Sequence, residues 1–131
     1  MSLDMYKNPL QSGFTLLELA IVISLIGILA SYLLVKYVDL VPSAKQQAVN
    51  SVAGALNVSA TVNYYYFRIG SAQAVTVHNC QDIANTLPPS QPLPAGYSIA
   101  FQMIAPNATV TCVVLHSDGI TSATFIGRGT T

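Results

Sequence analysis

Residues 14–35 read FTLLELAIVISLIGILASYLLV, and Glu18 is the single charge among them. Thr15, Ser24, Ser31 and the hydroxyl of Tyr32 are the other polar groups. As an α-helix this stretch reaches about 33 Å, against roughly 30 Å for the hydrocarbon core of a bilayer. A polar stretch, MSLDMYKNPLQSG, precedes it, with Lys7 as its lone cationic side chain and with Pro9 and Gly13 opposing a continuous helix. A secretory signal peptide would show a positive start, an apolar run of about 7 to 15 residues and a small-x-small cleavage site. The run here is too long, and no Cys follows it as a lipoprotein signal would require.

A charge inside a membrane helix costs about 2.5 to 3.5 kcal/mol on insertion scales, so Glu18 needs a reason to be there. One reason is local: near a helix start, free N–H groups and the dipole favour an anion. The other is intermolecular: cleavage after Gly13 would create a positive amine on Phe14, and Glu18 would pair with such an amine in a dry helix bundle.

The string Gly13-Phe14-Thr15-Leu16-Leu17-Glu18, set between a short polar leader and about twenty apolar residues, resembles the type IV prepilin signature. That family has Gly before the cut, usually Phe after it, and Glu four residues beyond the new N-terminus. The likeness is closest from Gly13 to about Asn57, and resembles somewhat the mannose-sensitive haemagglutinin type of pilin. Many pilins carry Pro where this chain has Val35; Gly27 and Pro42 are the substitute weak points. The resemblance implies a leader over residues 1–13, a transmembrane and filament-core helix over 14–35, and a globular domain over 36–131. It implies an α+β fold, with a long N-terminal helix packed on a small antiparallel sheet. It also implies partners: a prepilin peptidase that cuts after Gly13 and methylates Phe14, an assembly platform with its ATPase, the inner membrane, and copies of the chain itself. The leader would be cytoplasmic and the C-terminal domain periplasmic, until assembly places the subunit in an extracellular pilus.

The 131 residues allow one compact domain and an appendage, and with 52% hydrophobic and only 8% charged residues the chain is no disordered segment. Five basic and five acidic side chains cancel, leaving no basic stripe for nucleic-acid phosphates. Beyond the apolar run, polarity comes mostly from 29 Ser, Thr, Asn and Gln, a nearly neutral surface that tolerates side-by-side association.

Val41, Ala44, Ala48, Val52, Ala55, Ser59, Val62 and Tyr66 recur in steps of three and four and predict a helical stripe against the domain. Lys45, Gln46, Asn50, Asn57 and Asn63 fall largely off it, and Pro42 is expected to open a fresh turn with a kink near 39–43. The aromatic run Tyr64 to Phe67 reads as packing plus amphipathic faces, since no CxxCH haem signature supports a redox path. Tyr97–Met103, Thr109–Leu115 and Thr121–Ile126 predict an antiparallel meander, with turns at Ala105–Ala108 and Ser117–Gly119 and a fourth edge strand at Val75–His78. Gln81–Leu87 reads as a short helix ended by Pro88 and Pro89.

Cys80 and Cys112 fall on the side of the apolar run opposite the leader, and in an oxidising periplasm they are expected to form a disulfide. Closing that loop would contribute about 3.5 kcal/mol in the chain-entropy model. The competing reading is a metal site with His78 and His116, but the spacing fits no common zinc pattern. Asp39, Asp82 and Asp118 stand in separate segments and read as solvated or capping groups; no catalytic constellation, metal or cofactor is expected. Gly127-Arg128-Gly129 reads as a flexible end. The leading function is therefore a structural pilin subunit. Two further readings are a minor pilin acting as tip adhesin or DNA-uptake receptor, and a pseudopilin of a secretion system.

Overall fold

The computed structural model describes residues 13–130, so Lys7, Pro9 and the rest of the leader up to residue 12 lie outside it. Helix α1 runs from Leu16 to Arg68, a 3-10 helix follows at Cys80–Thr86, and strands β1 (Tyr97–Ile99), β2 (Thr109–His116) and β3 (Ser122–Arg128) form an antiparallel sheet in that order. The result is α+β. Two compact units divide after Leu40, and α1 contributes to both.

In the first unit every described residue is exposed. Its helix is long and apolar enough to cross a membrane by length and composition. α1 continues through Pro42 without restarting at Ser43, contrary to the fresh turn expected there. Proline removes one N–H from the ladder, and here the long helical runs on both sides carry that loss.

In the second unit α1 turns Val49, Ala53, Leu56, Ala60 and Asn63 into the core. This is not the stripe expected from the sequence: Ala44, Ala48 and Ala55 are exposed, and Val62 keeps 43% of its surface. The buried face is displaced by one residue from the predicted one, about 100° around the helix. No charged residue occurs between Lys45 and Arg68 to mark the solvent side. Shape decides instead, since Ala53 and Ala60 let the helix approach closely while Val49 and Leu56 fill the core.

Opposite them, the register Val114↔Ala123, Cys112↔Phe125 and Val110↔Gly127 sets these side chains on one face of the sheet. Val77, Ile83 and Ile104 close the core. Both sheet edges are occupied. Along β3, the Gln46 amide donates to Ser122 O (3.0 Å) and Asn57 Oδ1 accepts from Ile126 N–H (3.2 Å). Along β1, the Gln81 amide donates to Ile99 O (3.1 Å). Amides on helices thus cover strand edges that would otherwise invite further pairing.

Three other expectations are corrected. Val75–His78 forms no strand, because side chains take the Val75 N–H and O (Asn63), the Val77 N–H (Thr130) and the His78 N–H (Asp82), with isolated backbone bonds at Val77 O and His78 O. β1 ends at Ile99; Phe101 and Met103 face solvent while Ile104 is buried, since the chain leaves β2 and bonds instead to His78 and Cys80. The Gly127–Gly129 end is not flexible. Gly127 and Gly129 are buried, and Thr130 N–H donates to Val77 O (3.3 Å).

Candidate functional site

Gly13, Phe14 and Thr15 stand outside the helix and are exposed, Phe14 at 82%. Their position is set by Thr15. Its hydroxyl accepts the Glu18 N–H (3.1 Å) and its carbonyl accepts the Leu19 N–H (3.1 Å), so Thr15 is the N-cap and α1 starts at Leu16. Thr15-x-x-Glu18 is the sequence pattern of a capping box, and its first half, the Thr15 hydroxyl on the Glu18 N–H, is formed here. The Gly13–Phe14 bond therefore lies in non-helical, solvent-accessible backbone.

A Cβ built on Gly13 would meet nothing within 4 Å. Among the described residues nothing demands glycine there. Glu18 lies in the first turn, where the free N–H groups favour its charge. Among the described residues its carboxylate makes no hydrogen bond or ion pair. The two serines of the apolar stretch are satisfied within the helix: Ser24 Oγ donates to Ala20 O (2.7 Å) and Ser31 Oγ to Ile28 O (2.8 Å). Lys36 Nζ lies 5.9 Å from the centroid of the Tyr32 ring.

In the second unit, Cys80 and Cys112 form a disulfide, with Cα atoms 5.7 Å apart, that ties the 3-10 helix to the central strand. Both sulfurs are thereby taken, which removes the thiolates from the competing zinc site. His116 is engaged elsewhere: its Nδ1 accepts Asp118 N–H (3.2 Å) and its ring meets Tyr97 edge-on. Two of the three isolated acids hold backbone N–H groups. Asp82 Oδ2 accepts from His78 and Asn79 N–H at 2.9 and 3.1 Å, and Asp118 accepts from Ile120 and Thr121 in the β2–β3 turn.

Because the buried face of α1 is not the predicted one, the predicted stripe is left open. Ala55, Val58, Val62 and Tyr66 line an uncharged groove of about 820 Å³ with Leu87 and Pro88 on its far wall. Arg128 lies over the Tyr64 ring at 5.6 Å, with its Nε buried and without a hydrogen-bond partner.

A family model described as the prokaryotic N-terminal methylation motif matches residues 8–34, which include Gly13, Phe14 and Glu18. A type IV narrow pilus major component of Thermus thermophilus is 37% identical over 71 residues, covering 54% of this chain and 55% of that protein. The chain thus spans about half the length of this curated relative. No solved structure gives a significant match.

Proposed function

We propose that this chain, which carries the N-terminal methylation motif and resembles a type IV pilus component, is a type IV pilin, a filament subunit made as an inner-membrane precursor. A prepilin peptidase cuts between Gly13 and Phe14 and methylates the new amine. The leader faces the cytoplasm and the globular domain, residues 36–131, faces the periplasm. An assembly platform and its ATPase then move the mature subunit into an extracellular filament of like subunits.

The observation that carries this reading is the junction itself. An exposed, non-helical Gly13–Phe14 bond stands directly before a Thr15-capped helix whose apolar residues up to Leu40 find no cover among the described residues. A helix of that kind is stable in a bilayer or in a bundle of its own copies, and in water it is not. Among the described residues nothing crowds a Cβ at position 13, which suits a small residue kept for a peptidase closing on the backbone. Glu18, without a partner among the described residues, is suited to meet the amine of a neighbouring Phe14.

The test is the N-terminus of the mature protein. Mass spectrometry of membrane and sheared-fibre fractions should find a chain of 118 residues, the 131 less the first 13, beginning at Phe14 with one added methyl group. Replacing Gly13 with a bulky residue should leave full-length precursor in the membrane. A mature N-terminus near Ala30 would mean an ordinary signal sequence and would end this reading.

A further inference from the structure

Two charges bracket the apolar part of α1. Glu18 stands at its start and Lys36 at its end, with none between. From Leu16, where the helix begins, to Lys36 is a rise of about 30 Å, the thickness of a hydrocarbon core. Tyr32 and Lys36, four residues apart, share one helix face, and the Lys36 ammonium approaches the Tyr32 ring to 5.9 Å. Tyr37 follows directly, and both tyrosines are more than 60% exposed. Asp39, Ser43, Lys45, Gln46 and Gln47 make the chain polar beyond this point.

Tyrosine rings and lysine stems share one physical preference. Each has an apolar body and a polar tip, so each is most stable where hydrocarbon gives way to headgroups and water. We propose that Tyr32, Lys36 and Tyr37 form an interfacial anchor that fixes the depth of α1 in the bilayer. Its partner is the headgroup zone of the leaflet facing the globular domain. One hydrocarbon thickness away, the anchor holds the Gly13–Phe14 bond just clear of the opposite leaflet. This consequence for cleavage rests on the precursor reading above, while the anchoring does not.

The chain contains no Trp, so a single Trp is a clean probe of depth. Full-length protein carrying Tyr32→Trp, Tyr37→Trp or Leu25→Trp is reconstituted in phosphatidylcholine vesicles with lipids brominated near the headgroup or deep in the acyl chain. Trp at 32 and 37 should be quenched mainly by the shallow bromines and Trp at 25 mainly by the deep ones. Adding Lys36→Leu should move the Trp at 32 and 37 deeper. Deep quenching at 32 and 37, no quenching there, or no shift with Lys36→Leu would overturn the anchor. In cells, Tyr32→Leu, Lys36→Leu and Tyr37→Leu together should slow cleavage after Gly13 several-fold while the Cys80–Cys112 disulfide still forms. Wild-type cleavage kinetics in that variant would overturn the depth-setting role. Failure of the wild-type chain to be cleaved would count against the precursor reading, and the vesicle measurement would still decide the anchor.

Discussion

Asn63 holds the main chain of Val75 with both ends of its amide. Its Nδ2 donates to Val75 O at 2.8 Å and its Oδ1 accepts the Val75 N–H at 2.7 Å. A side chain on the core face of α1 thereby supplies what a neighbouring strand would, and the segment before the 3-10 helix is fixed without joining the sheet.

Replacing Asn63 by Leu keeps the branched shape and leaves both Val75 groups unpaired. With a cost of about 1 to 3 kcal/mol for each of the two orphaned groups, the domain should lose about 2 to 6 kcal/mol. Urea unfolding of the full-length chain in detergent measures this. A loss under about 1 kcal/mol would mean that water takes over both bonds.

The disulfide crosses the same core. Cys80 and Cys112 should resist alkylation until reduced, and removing both should destabilise the globular part by about 3.5 kcal/mol without disturbing membrane insertion. Gly127 is tied to this bridge. A Cβ at that position would lie 2.6 Å from Cys112 Sγ and 2.9 Å from both Ile83 Cδ1 and Ile104 Cδ1. Gly127→Ala should therefore cost about 1 to 3 kcal/mol through overpacking and leave a measurable fraction of free thiol. Stoichiometric zinc in protein with two free thiols would reverse the disulfide assignment.

Asp118 sets a pH dependence. The Thr121 amide, then the Thr121 hydroxyl and the Ile120 amide, hold its carboxyl well below the usual carboxylate range, and His116 adds a smaller pull. A depressed folded pKa means that the stabilisation is complete above the unfolded value, about 3.8, and is lost as pH falls through the folded one. Wild type should exceed Asp118→Asn in urea midpoint at pH 7, and the gap should narrow steadily below about pH 4. A gap that stays constant down to pH 2 would assign the effect to shape and not to charge.

What the sequence disclosed follows what it contains. The apolar run was legible because length and absence of charge leave few alternatives, and the sheet because Ala105–Ala108 and Ser117–Gly119 mark its turns. The phase of α1 against the sheet was not, since Ala44, Ala48 and Ala55 look as apolar as Val49, Ala53 and Leu56 and no charge separates the two faces. Val75–His78 has a strand-like composition, yet much of its bonding goes to Asn63, a side chain on the core face of α1, and to Thr130, 53 residues from Val77. Gly127 and Gly129 read as a loose end because a glycine pressed under a disulfide and one packed on Ala105 look the same in a sequence as glycines in a tail. At the junction, Gly13, Phe14 and Glu18 were legible as a pattern; the Thr15 cap, though written in the same six residues, was missed.

That cap makes the role of Glu18 separable. If Glu18 only steadies the start of its own helix, its loss should resemble the loss of the Thr15 hydroxyl, about 1 kcal/mol in either case. Thr15→Val and Glu18→Ala should then both leave filaments nearly unchanged. If Glu18 pairs with the Phe14 amine of a neighbour, Glu18→Ala leaves a positive charge unpaired in an apolar bundle, a penalty of about 3 to 5 kcal/mol. The penalty recurs with each subunit added, so filaments should vanish although the variant is inserted, cut after Gly13 and folded. Glu18→Gln should be nearly as damaging, because it keeps the shape and loses the charge, whereas Thr15→Val should still assemble. Electron microscopy of sheared fibres, with cell-bound mature protein quantified alongside, reads the difference. Normal filament numbers from Glu18→Ala would refute the pairing and leave Glu18 as a helix-end residue.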